Sequence, residues 1–148
     1  MPKALLDASA YIDLQRAQNH WRETWATNTL RRASGYALEV GRPCLATITV
    51  MEITRGFEPK LSPSKLQVFR ESIVPSFDII DFDLQMACLA GEIYAKLDGA
   101  RAGIGLADTA VAAVALRTEL TLVSSNVRHF QRVVDLGYPL RLENWRDA

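Results

Sequence analysis

Ala4-Leu5-Leu6-Asp7-Ala8-Ser9-Ala10-Tyr11-Ile12 is the stretch that decides the fold. Three apolar residues run into an acid, and a helical pattern, Ala8 to Leu14, starts directly behind it. A short, wholly apolar run reads as a strand buried on both faces. The change of period at Asp7 marks a strand-to-helix junction. The unit recurs along the chain. Cys44-Leu45-Ala46-Thr47 reads as a strand before a helix from Thr49 to Phe57, which Gly56 and Pro59 end. Phe77-Asp78-Ile79-Ile80 precedes a helix from Asp83 to Leu97, capped by Asp83 and stopped near Gly99. Leu120-Thr121-Leu122-Val123 precedes a helix from Asn126 to Val133, and Leu140-Arg141-Leu142 is a last short strand. Three further helices fill the gaps. Asn19 to Val40 is a long one, with Trp21 and Trp25 one turn apart and Gly41 and Pro43 as its stop. Ser62 to Val74 carries Pro63 in its first turn. Leu106 to Leu116 is Ala-rich and apolar enough to be buried. Strands alternating with helices predict an α/β fold of three layers, a mostly parallel sheet covered on both faces. One domain spanning residues 1–148 is expected. In such sheets ligands bind beyond the carboxyl ends of the strands.

Composition narrows the class. The chain is 49% apolar and 23% charged, the mix of a globular domain rather than a disordered tail or a disulfide scaffold. Its 17 basic and 17 acidic residues cancel, so a polyanion would have to be met through a local patch or a metal, not a net field. Cys44 and Cys88 are too few for a secreted framework and read as small buried hydrophobes. Asp7 and Asp13 interrupt any signal-peptide run. Ala102 to Leu116 contains Asp108 and is too short to span a bilayer. A reducing cytoplasm is the expected setting.

Chemistry-bearing residues gather at the junctions. Asp7 follows the first strand. Glu52 lies in the first turn of the helix after the second. Asp108 lies in the first turn of the apolar helix, and Ser124-Ser125-Asn126 follows the Leu120 to Val123 strand. Each has a plain explanation. Asp7 and Asn126 suit helix caps, Asp108 suits a helix dipole, and Thr49-Val50-Met51-Glu52 fits a capping box. Jointly they suggest more. Converging carboxylates repel until a proton or a cation joins them. Mg²⁺ is commonly held by a few carboxylates together with water and substrate phosphate. Phosphodiester or phosphoryl hydrolysis is the reaction class this implies.

The junction motifs also resemble a family. Leu5-Leu6-Asp7-Ala8-Ser9-Ala10-Tyr11-Ile12, Thr47-Ile48-Thr49-Val50-Met51-Glu52-Ile53, Gly105-Leu106-Ala107-Asp108-Thr109-Ala110-Val111-Ala112-Ala113 and Leu122-Val123-Ser124-Ser125-Asn126-Val127-Arg128-His129-Phe130 resemble, in order, the four motifs of PIN-domain nucleases. The branch they resemble is the VapC-type toxins of toxin–antitoxin pairs. That resemblance implies a five-stranded sheet and an Mg²⁺- or Mn²⁺-dependent ribonuclease. Asp7, Glu52 and Asp108 match the metal-holding acids, and Asn126 stands at the fourth position, without charge. Ser9 and Ser125 are candidates to orient water or phosphate, and Arg128 to meet phosphate at the rim. A cognate antitoxin and a homodimer are the implied partners.

Other features are less informative. His20 and His129 lack zinc-ligand spacing, and His129 reads as a surface or packing residue. Gly103-Ile104-Gly105 lacks the strand and third glycine of a phosphate loop. Arg16, Arg22, Arg31, Arg32, Lys65, Arg70 and Arg101 read mainly as solvated helix faces. Trp21, Trp25 and Tyr36 suit a packed helix face, base stacking, or a groove for an antitoxin peptide. The Arg16 to Arg42 stretch is longer than in many relatives, which suggests a partner or substrate role. The competing reading is a non-catalytic interaction domain or a receiver-like phosphoacceptor. Against a receiver, Asp7 has no acidic neighbour and no Lys follows the late strand.

Overall fold

The computed structural model describes residues 1–57 and 63–148. β1 (Ala4–Leu6) is central, paired with β2 (Cys44–Ala46) on one side and β4 (Thr121–Val123) on the other. β3 (Asp78–Ile80) extends the sheet beyond β2, and β5 (Leu142–Glu143) beyond β4. The order is β3-β2-β1-β4-β5, with every pair parallel. The flavodoxin-like order, 2-1-3-4-5, is a different one.

Strand alternation builds two cores. Leu5, Cys44, Ala46 and Leu122 face one side, against α5 (Leu84–Gly99), α6 (Leu106–Thr118) and α7 (Val127–Asp135). Ala4, Leu6, Leu45 and Val123 face the other, against α1 (Ala8–Ala17) and α2 (Thr24–Glu39). Every strand residue of β1, β2 and β4 is buried, which explains why all but Thr121 are apolar. α6 is buried from Thr109 to Ala115, as its Ala-rich sequence requires. α3 (Thr47–Phe57) and α4 (Pro63–Val68) complete the helices among the described residues. None is long and apolar enough to cross a membrane.

Several boundaries differ from the sequence expectations. The long helix expected from Asn19 is broken. A 3₁₀ turn covers Gln18–His20, and α2 starts only at Thr24, after Glu23 in an extended conformation. Trp21 is therefore outside α2 and 60% exposed, with Arg22 stacked 5.0 Å from its ring centre. The Ser62 to Val74 helix becomes α4 followed by a wider π turn over Phe69–Ile73, while Ser62 and Pro59 lie outside the described residues. β5 sits at Leu142–Glu143 rather than at Leu140 to Leu142. Cys44 is buried as expected, but Cys88 is exposed.

The stretch between Arg16 and Arg42 has a visible structural use. α2 holds the C-terminal segment: Asn28 Nδ2 donates to Arg146 O at 2.8 Å, and Arg32 Nη1 to Asn144 O at 3.1 Å. Tyr36 packs on Trp145, and its hydroxyl accepts from Ala4 N–H at 3.0 Å. Arg146 in turn grips Asp13 of α1 with two hydrogen bonds of 2.6 Å, while its guanidinium lies 4.7 Å from the Trp25 ring centre. Asp13 is 4% exposed, so removing its partner leaves a buried charge unpaired. Arg146→Ala is expected to destabilise the chain by about 3 kcal/mol, the low end for a broken buried pair, because Arg146 is itself partly exposed. Denaturant unfolding checks this. A loss below about 1 kcal/mol would put the pair in the surface class.

Candidate active site

The strand order places the site. From β1 the chain moves to β2 and β3 on one side of the sheet, and it returns to β4 and β5 on the other. The carboxyl ends of β1 and β4 therefore flank the switch point, where open α/β sheets form their binding crevice. Asp7 follows β1, and its N–H donates to Val123 O at 3.1 Å. Ser124 follows β4.

Asp7 is the most constrained acid there. Its Oδ1 accepts Ala10 N–H at 2.8 Å, as an N-cap does, and the Ser9 hydroxyl at 2.6 Å. Its Oδ2 accepts the Ser124 hydroxyl at 2.6 Å. The two serines lie 3.2 Å apart, and each accepts a backbone N–H from the β4–α7 turn: Ser9 Oγ from Ser125 at 3.1 Å and Ser124 Oγ from Asn126 at 2.9 Å. The capping role and the place in the crevice coexist, because one oxygen does both. Burial holds the Asp7 carboxyl above its ordinary range against the pull of these hydrogen bonds.

Glu52 reaches the same crevice from α3. The capping-box expectation does not hold. β2 ends at Ala46 and α3 begins at Thr47, so Thr49 is inside the helix, fully buried, with no partner for its hydroxyl among the described residues. Thr47 is the residue that reaches out, its hydroxyl accepting Phe82 N–H at 3.1 Å. Glu52 Oε1 is buried and, among the described residues, accepts nothing. Burial, then the charges of Asp108 and Asp7, push its carboxyl up to about 7. Asp108 stands in the first turn of α6, raised by burial and by Asp7, and lowered by His129. Its Oδ2 lies 3.1 Å from His129 Nε2.

Asp7, Glu52 and Asp108 are thus electrostatically coupled around one crevice, with a carboxylate oxygen that no donor among the described residues satisfies. Among the described residues no three acidic, histidine or cysteine side chains are drawn tightly enough to enclose a metal ion unaided. The oxygen-only set is one that suits a hard divalent ion, which keeps several waters and takes further oxygens from a bound phosphate.

Residues 4–136 match the family described as PIN domain. The chain belongs to the PIN-domain family. Its relatives within the family are VapC proteins. It is 29% identical over 146 residues to the tRNA(fMet)-specific endonuclease VapC of Salmonella typhimurium, covering 98% of this chain and 99% of that protein. It is 34% identical over 112 residues to Ribonuclease VapC2 of Haemophilus influenzae, covering 76% of this chain and 82% of that one. The crystal structure of DNA-bound VapBC from Salmonella typhimurium superposes with a TM-score of 0.74 at 28% identity, over 98% of this chain and 99% of that one.

On this VapC-type PIN fold the remaining candidates lie where β4 passes into α7. Asn126 is exposed at the N-terminus of α7, and its side chain makes no capping bond. Arg128 is exposed in the first turn of α7, and Ser125 is half-buried. Sequence reasoning missed two residues. Ser124, rather than Ser125, gives its hydroxyl to Asp7; its position, first after β4 as Asp7 is first after β1, was the available signal. His129, read as a surface or packing residue, contacts Asp108 instead. Nothing local in the sequence joins residues 129 and 108.

The raised carboxyls fix a pH dependence. The folded chain holds these protons more tightly than the unfolded one. Their stabilising contribution is therefore complete below the ordinary carboxylate range, near pH 4, and is lost as pH rises toward about 7, where Glu52 ionises. A divalent ion held by these acids would bind their ionised form. The rise in Tm it causes is expected to grow between about pH 5 and about pH 7. Thermal melts with chelator and with Mg²⁺ at each pH measure that increment. An increment independent of pH would contradict the shared-carboxylate site.

Proposed function

We propose that this chain is an Mg²⁺- or Mn²⁺-dependent endoribonuclease and the toxin half of a toxin–antitoxin pair. The observation that carries the reading is the buried Glu52 Oε1, without a partner among the described residues and coupled to two further carboxylates at the switch point of a PIN sheet. The ribonuclease and endonuclease names of the VapC relatives support it.

Asp7, Glu52 and Asp108 would hold the ion. When bound, it supplies a Lewis acid for a phosphoryl oxygen and makes water a stronger acid. The protein supplies placement. Ser9 and Ser124 fix both oxygens of Asp7, so this acid does not turn when substrate arrives. Glu52 contributes an oxygen already stripped of water. Asn126 presents an uncharged amide at the rim, able to donate to a phosphate or accept from water. The exposed Arg128 guanidinium offers a planar fork to the next phosphate.

The antitoxin is proposed to occupy a groove of about 570 Å³ between α1, α3 and α4. Tyr11, Ile12, Ile53 and Val68 line it, and Glu52 borders it, so a peptide seated there abuts the site. An amphipathic segment is the occupant such a groove selects. VapBC complexes among the structural relatives support this partner. The homodimer is part of the same proposal, and light scattering of the purified chain reads it.

The test is cleavage of total RNA by the purified chain with Mg²⁺ or Mn²⁺, against the same reaction in chelator. Cleavage only with the ion is expected. Cleavage undiminished by chelator, or none under either condition, would overturn the proposal.

A further inference from the structure

Asp7 is set by β1 and Glu52 by α3, but Asp108 depends on where α6 begins. The segment before it, Gly103-Ile104-Gly105, forms no regular structure, and Gly105 caps α6 at a φ of 91° with no side chain to fix it. Thr109 Oγ1 of α6 donates to Gly105 O at 2.7 Å, and the other two carbonyls of the segment are held from α7. His129 Nε2 lies 2.7 Å from Ile104 O as well as 3.1 Å from Asp108 Oδ2. One turn further, Arg132 Nη1 donates to Gly103 O at 3.0 Å. The spacing of three residues puts both side chains on one face of α7. Phe130 and Val133, fully buried, seat that helix in the core. A ring nitrogen that faces a carbonyl and a carboxylate, both acceptors, must carry the proton. Nε2 is therefore the donor whether the ring is neutral or charged.

We propose that His129 and Arg132 clamp the Ile104 and Gly103 carbonyls, and that His129 is thereby the positioning residue for Asp108. The proposal rests on Asp108 being a metal-holding acid of the nuclease proposed above. Nε2, hydrogen-bonded to Ile104 O, also faces Oδ2 at 3.1 Å as an ion-pair contact. Among the described residues Oδ1 has no hydrogen-bond partner, which leaves it for the ion. The Ile104 carbonyl holds the ring in place, so Asp108 is oriented by a group that is itself fixed. Outer partners of this kind typically change metal affinity by about 10–100-fold when lost.

The test compares His129→Phe, which keeps an aromatic ring without the donor, with His129→Gln, whose amide nitrogen reaches about as far as Nε2. Mn²⁺ binding is measured by calorimetry on the full chain without RNA, and cleavage is measured alongside. His129→Phe is expected to weaken Mn²⁺ binding by about 10–100-fold and to lower kcat more than it raises KM. His129→Gln is expected to restore most of both, and Arg132→Ala to show a smaller loss in the same direction. A folded His129→Phe chain that binds Mn²⁺ as wild type does would overturn the clamp. So would a His129→Gln chain as impaired as His129→Phe. If His129→Phe does not fold, His129→Asn replaces it, because its amide is too short to reach Oδ2; equal Mn²⁺ affinity in the Asn and Gln variants would then overturn the clamp. A wild-type chain that binds no Mn²⁺ and cuts no RNA overturns the nuclease reading itself. A wild-type chain that does both, with His129→Phe unchanged, overturns the clamp alone.

Discussion

Asp108→Asn is expected to keep the fold and to lower RNA cleavage by roughly a hundredfold or more, beyond the effect typical of losing an outer partner. The exchange preserves shape and the ability to accept from His129, and it removes only charge. Losing an acid from the first turn of α6 costs about 0.3–1 kcal/mol of helix-dipole interaction. Relief of repulsion from Asp7 and Glu52 offsets that loss, since both are coupled to this carboxylate. Tm in chelator should therefore hardly move, while its rise with Mn²⁺ shrinks. Cleavage kinetics and melts on one preparation check both halves. A folded Asp108→Asn chain that cuts at the wild-type rate would remove Asp108 from the site.

Glu52→Gln should separate stability from activity still more sharply. Glu52 holds its proton up to about 7 because burial and two neighbouring acids oppose its charge. A neutral amide of the same shape meets none of that opposition. The metal-free variant is expected to be as stable as wild type near pH 7 or more so, and to lose the decline in stability that accompanies Glu52 ionisation. Gln lacks the charge that retains a hard cation, so Mn²⁺ binding and most cleavage should go with it. Because Thr49 is inside α3, Thr49→Val should avoid the loss of about 0.5–2 kcal/mol that removing an N-cap costs. Equilibrium unfolding in chelator and Mn²⁺ titration measure these effects. Normal cleavage by Glu52→Gln would leave the site without its second acid.

What the sequence could reveal follows the range of the forces involved. β1, β2 and β4 were legible because each is a short buried run, apolar but for Thr121, that ends at a polar junction; the first two junctions named Asp7 and Glu52, and the start of the apolar α6 named Asp108. The strand order was not legible, because it is set by which faces pack, and it is the order that brings the β1 and β4 ends side by side. The Trp21 and Trp25 spacing suggested a continuous helix, yet Trp25 is held by Arg146 from the far end of the chain and Trp21 projects from a turn. The capping-box motif misled at Thr49 because α3 starts two residues earlier, with no loop after β2. Ser124 and His129 escaped for a single reason. Each acts across more than 20 residues of sequence, on Asp7 and Asp108 respectively, and no local pattern records such a contact.

Anomalous diffraction from crystals of the chain soaked in Mn²⁺ would test the central claim most directly, the claim that three carboxylates share a divalent ion. The expected result is a peak within coordinating distance of Asp7, Glu52 and Asp108, absent from Asp108→Asn crystals under the same soak. No peak at that crevice in wild-type crystals, or an equal peak in the variant, would contradict the account.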